Sequence, residues 1–126
     1  MKNEEGEKRV KESILAERSL AFAVTILSLT DRLRERREYV VSSQIGRSGT
    51  SIGANIREAQ FAISRADFVA KLHIALKETN ETEYWLELLK RADKISEEEY
   101  TAALSAVREI RAMLISSIKT AKAGEA

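Results

Sequence analysis

The hydrophobic positions repeat with the period of a helix along almost the whole chain, and four stretches carry the pattern. In the last, Tyr100, Ala103, Leu104, Val107, Leu114 and Ile118 fall on one stripe. In the third, Phe68, Leu72, Ala75, Leu76, Thr79, Leu86 and Leu89 do the same. Spacings of three and four residues place such side chains on one face of an α-helix. The first stretch is apolar on two sides. Leu15, Phe22, Ile26, Leu29 and Leu33 form one stripe, and Val10, Ile14, Ala21 and Val24 lie opposite. The third carries a second patch, Ile74, Trp85 and Leu88, turned away from its core stripe.

Breaks between the stretches come from capping residues, because the chain has no proline. Ser64 with Asp67, and Ser96 with Glu99, have the spacing of a capping box, in which a hydroxyl and a carboxylate satisfy free amides at a helix start. A third break falls at Arg36 to Glu38, where charge interrupts the apolar period. The pattern predicts helices over roughly 8–36, 39–61, 65–93 and 97–122, with 1–7 and 123–126 frayed. Short connections between long helices impose antiparallel neighbours. The expected fold is therefore all-α: one up-down-up-down four-helix bundle spanning 1–126.

A helix that is apolar on two sides needs partners on two sides. The bundle supplies one, so self-association is the expected source of the other. Ile74, Trp85, Leu88, Leu15 and Phe22 are the candidate interface residues.

The second stretch contains Gly46, Gly49 and Gly53 in one sector beside Ile45, Ile52 and Ile56. Each glycine costs a helix about 1 kcal/mol relative to alanine. Three on one side predict close helix packing, since small residues let a neighbour approach. A phosphate-cradling loop would end in glycine-lysine-serine or -threonine, and here Gly53 leads into Ala54.

Charged residues on core stripes need partners, because an unpaired buried charge costs several kcal/mol. Counting heights from the turns puts Arg47, Glu78 and Arg111 at one level, with Glu83 a turn away. The same count places Glu58 level with Glu17 and Arg18, so Arg18 is its expected partner. Asn55 completes the predicted polar set.

Composition narrows the chemistry. Of 126 residues, 33% are charged, yet the net charge is only +1. The whole-chain field therefore draws neither nucleic acid nor membrane strongly. The absence of cysteine removes disulfides and thiolate chemistry and fits a reducing cytoplasm. No apolar run approaches the roughly 20 residues that span a bilayer, and the acidic start is unlike a signal peptide. We expect a cytoplasmic protein with no membrane partner, no cofactor or metal and no small-molecule substrate. His73 is the single histidine. The hydroxyls of Ser42, Ser43, Ser48 and Ser51 have no histidine placed to activate them. No catalytic residue is expected. A basic cluster, Arg32, Arg34, Arg36 and Arg37, offers phosphate contacts, although Asp31, Glu35 and Glu38 leave little excess charge. The bland alternative is a solvated helix end favourable to the macrodipole.

Gln44 and Arg47, then Ser51, Ile52, Asn55, Ile56 and Glu58, then Phe68, Ala75, Glu81 and Glu83, together with Arg111, Met113 and Leu114, form a recognisable series. It resembles the four-helix bundle proteins encoded in intervening sequences of bacterial 23S ribosomal RNA genes. The likeness spans about residues 10–120, with Ala59 standing where many members have glycine. It implies a homopentamer with a central channel and no established enzymatic activity. It also implies kinship with the accessory subunit of diversity-generating retroelements, a pentamer that binds a reverse transcriptase and nucleic acid. Two functional readings follow: a nucleic-acid-associated accessory protein, and a structural or protein-docking scaffold without nucleic-acid binding.

Overall fold

The absence of proline and the two capping serines leave long helices uninterrupted. In the computed structural model, which describes residues 4–124, four helices account for almost the whole chain. They are α1 (Glu4–Glu35), α2 (Tyr39–Gln60), α3 (Arg65–Arg91) and α4 (Glu97–Ala123). Their order and direction are those predicted. Residues 4–7, expected to fray, belong to α1, and 123 closes α4; 1–3 and 125–126 lie outside the described residues.

Each turn has a local cause. Ser96 and Glu99 form the full capping box at the start of α4. Ser64 accepts the Asp67 amide at 3.0 Å, while the Asp67 carboxylate accepts the amide of Ile63 rather than that of Ser64. The ends of α1 and α3 use a different device. Arg37 and Asp93 adopt left-handed backbone angles, with φ of 64° and 55°. The amides of Glu38 and Lys94 then reach back to the carbonyls of Leu33 and Leu89 at 2.9 and 2.8 Å. Those bonds define the Schellman ending, normally built on glycine.

Helices adjacent in sequence pack together, and α1 closes the square against α4 through the thinnest contact. The backbones of the diagonal pairs stay apart, and their side chains meet only in the core. The core contains Leu15, Phe22, Ile26, Leu29 and Leu33 from α1, with Ile45, Ile52, Leu72, Leu86, Val107, Ile110 and Leu114 from the other helices. Fully burying a side chain of this kind stabilises by about 1.5–3 kcal/mol.

Two interface candidates are corrected here. Leu15 and Phe22 are buried inside the chain's own core, on the side of α1 that faces α2 and α4. Their stripe is the one the bundle covers.

The glycine sector faces α1. A Cβ built on Gly53 would lie 3.4 Å from the Ser19 carbonyl oxygen, so helix backbones approach there. At Gly49 and Gly46 the neighbours are instead the side chains of Ile26 and Thr30. Close packing is present, and at two of the three glycines its purpose is to admit a side chain.

By length and composition a stretch within Glu5–Glu35 is apolar enough to cross a membrane. The expectation that no apolar run is long enough is corrected at this helix, which passes although Glu17 and Arg18 fall inside it. In the bundle, 33% of that stretch is buried against other helices.

Candidate functional site

Two features stand out from a conventional bundle: an ion-pair system centred on α3, and apolar surface left uncovered on α1 and α3.

The helix period sends the acidic residues of α3 to opposite flanks. Glu78 and Glu81 face α2, where Arg47 donates to both; the Glu78 contact is 3.3 Å. Trp85 donates its indole N–H to Glu81 at 3.4 Å and meets Tyr84 edge-on at 4.9 Å. Glu83 faces α4, accepting from Arg111 at 2.7 Å and Arg108 at 3.1 Å. Glu78 is buried, Arg111 half-buried and Arg47 exposed.

The single network expected from Arg47, Glu78 and Arg111 is thus two networks, one on each flank of α3. Level counting gives height along the bundle but not direction around a helix. Arg111 lies beside the α4-facing flank, which Glu83 occupies, and its guanidinium also reaches Asn80 at 3.5 Å. The same error affects Arg18, which pairs with Glu109 of α4 instead of Glu58 and adds a contact to the Met113 sulfur at 3.7 Å. Glu58 is exposed on α2. Asn55 joins no network between helices, because its amide donates to the carbonyl and hydroxyl of Ser51 one turn back. Sequence reasoning missed Arg108 and the role of Glu81, though their period on α4 and α3 was available.

Buried hydroxyls are also accounted for. Ser42 donates to the Thr30 carbonyl at 3.2 Å, and the Thr82 hydroxyl lies 3.0 Å from Ser48 Oγ. Among the described residues no buried side-chain polar atom lacks a hydrogen bond, and no group of three or more His, Asp or Glu side chains is arranged to hold a metal. His73 is exposed on α3.

The basic cluster is partly committed. Arg32 pairs with Glu99 and donates to Ser28, and Arg36 donates to the Lys94 carbonyl. Arg34 and Arg37 project from the same end as exposed residues. The carboxyl of Glu99 is shifted by its surroundings. Burial pushes its carboxyl up, but hydrogen bonds from Arg32 and Ser96 and the Arg32 charge outweigh this and hold it below the ordinary value.

The outward faces are extensive. Val10, Ile14, Leu20, Val24 and Leu27 are exposed along α1, the last two at 62% and 53%. On α3, Ile74, Tyr84 and Leu88 are exposed, whereas Trp85 is half-buried and packs partly on its own core. Leu20, Leu27 and Tyr84 were absent from the sequence-derived patches, although they continue the same helical period. A cleft of about 530 Å³ runs along the thin α1–α4 contact, between the Arg18–Glu109 and Arg32–Glu99 bridges.

These features define an antiparallel four-helix bundle with an arginine–glutamate frame and uncovered apolar helix faces. The family pattern described as 23S rRNA-intervening sequence protein matches residues 11–116, and the chain belongs to that family. The fold is similar to the 1.70 Å crystal structure of a protein of unknown function from the S23 ribosomal protein family of Bacteroides thetaiotaomicron VPI-5482. That likeness has 56% sequence identity and a TM-score of 0.85, covering 86% of this chain and 98% of the other. A search of curated proteins gives no match.

Proposed function

We propose that this protein is a non-enzymatic homo-oligomer, a pentamer as its resemblance implies, that serves as a scaffold. The observation that carries this reading is the outward face of α1. Leu20, Val24 and Leu27 lie opposite a core face that is already fully covered. Exposed apolar patches of this kind mark interaction sites in soluble bundles. The charged side chains nearest the core are arranged as bridges between helices, and the buried serines bond to backbone or to a neighbouring hydroxyl, which suits structural roles. Native mass spectrometry tests the assembly directly: five copies are expected, and a single chain across the concentration range would end the proposal.

A second reading, association with nucleic acid, is favoured by Arg34 and Arg37, which stand exposed at one end of the bundle. In a ring these cations would recur around one rim. Phosphate binding through them would weaken steeply with salt. Filter binding to single- and double-stranded RNA and DNA at two salt concentrations separates this reading from a scaffold without nucleic-acid binding. Absence of binding at low salt removes it. On this reading, a neighbouring reverse-transcriptase gene is the expected genomic context.

A further inference from the structure

The uncovered faces of α1 and α3 match each other residue by residue. On α1 the outward seam runs Val10, Ile14, Glu17, Ala21, Val24, Ser28 and Asp31, all exposed. On α3 the outward seam runs Ala70, Ile74, Lys77, Glu81, Tyr84, Leu88 and Arg91, exposed except for the half-buried Glu81. Both series alternate steps of four and three, the spacing by which two helices lie side by side along a narrow seam. Set in parallel, Ile14 meets Ile74, Val24 meets Tyr84, and Leu27 and Ser28 meet Leu88.

The charges coincide in the same register. Glu17 falls beside Lys77 and Asp31 beside Arg91, an acid opposite a base at two levels of the seam. Glu17 and Asp31 are as far apart on α1 as Lys77 and Arg91 are on α3, about 21 Å at 1.5 Å per residue. Among the described residues, Glu17, Asp31 and Lys77 have no ion-pair partner within the chain. Arg91 is 77% exposed and engages only Glu87 of its own helix. The seams cannot meet within one chain, because α1 and α3 occupy diagonal corners and turn these faces outward.

We infer that α1 of one copy packs in parallel against α3 of the next, with Glu17 beside Lys77 and Asp31 beside Arg91. This rests on the self-association proposed above and specifies its contact. Within a chain α1 and α3 run in the same direction, so copies related by rotation about an axis along the bundle present these helices to each other in parallel. The contact joins two different surfaces. Such an interface repeats from copy to copy and closes as a ring when the rotation permits.

Charge reversal tests the contact. Glu17→Lys with Asp31→Lys makes both seams basic, and Lys77→Glu with Arg91→Glu makes both acidic. Each pair is expected to reduce the particle to the 14.1 kDa single chain by light scattering, with helical content retained. Combining all four substitutions restores opposite charges and is expected to restore assembly. Double variants that assemble like the parent would overturn this contact and leave self-association standing. A parent that is itself a single chain would overturn both. Independently, the cysteine-free chain permits Val24→Cys with Tyr84→Cys, which is expected to form a ladder of disulfide-linked copies on mild oxidation. Failure of the assembled variant to cross-link would also overturn the contact.

Discussion

Ile26 of α1 fills the space that a side chain at Gly49 of α2 would need: a Cβ there would lie 2.9 Å from two of its carbons. Ile26 is fully buried and has little freedom to withdraw. Overpacking a core typically costs about 1–3 kcal/mol. Alanine returns about 1 kcal/mol of helix propensity. Gly49→Ala is therefore expected to destabilise by about 1 kcal/mol net in urea unfolding. At Gly53 the nearest Ser19 atoms would lie at 3.3–3.5 Å, so Gly53→Ala is expected to change stability much less. Equal effects at the two positions would mean that the glycines do not act through their contacts with α1.

Burial separates the ion pairs. Arg47→Ala strands Glu78, whose side chain is 12% exposed, and is expected to cost about 1–3 kcal/mol as an uncompensated polar group. The half-exposed Arg47 end places the value low in that range. Arg18→Ala breaks a bridge exposed at both ends and should cost less than about 1 kcal/mol. Chemical denaturation of the two variants checks the order, and a larger loss for Arg18→Ala would contradict it.

Much of this architecture is legible in the residues. The stripes of α3 and α4 give the core faces, the two serine caps give two helix starts, and the second stripe of α1 marks the surface left uncovered. What was not legible is direction around a helix. Arg18 and Arg111 pair with Glu109 and Glu83, because rotation about the helix axis decides which neighbour a long side chain meets. The endings at Arg37 and Asp93 were also hidden, since neither position carries the glycine that advertises a left-handed residue.

Arg37 makes that second point testable. A left-handed backbone costs an L-residue roughly 1–2 kcal/mol, and glycine avoids the clash. Part of the gain is returned through the greater freedom of glycine in the unfolded chain. Arg37→Gly is expected to stabilise by about 0.5–1 kcal/mol in thermal melts. Arg34→Gly, inside the last turn of α1, is expected to destabilise by about 1 kcal/mol. Destabilisation by Arg37→Gly would contradict the assigned ending.

Glu99 links the start of α4 to acid stability. Its folded carboxyl titrates below the ordinary value despite burial, because Arg32 and Ser96 favour the charged form. A depressed carboxyl contributes stability that is present above its unfolded value and is lost as pH falls through its folded value. Parent and Glu99→Gln should therefore differ most near neutral pH and converge in acid. Melting curves from pH 7 downward check this, and a gap that widens in acid would contradict it. Ser96→Ala should cost about 1 kcal/mol at neutral pH through the lost cap.

The central claim is that the outward face of α1 is covered by another copy. Sedimentation equilibrium of the parent beside a Val24→Glu, Leu27→Glu variant tests it most directly. Both positions are exposed in the single chain, so the substitutions leave the bundle folded. The parent is expected at several times 14.1 kDa and the helical variant at the mass of one chain. A parent of one-chain mass, or a variant that assembles as the parent does, would contradict it.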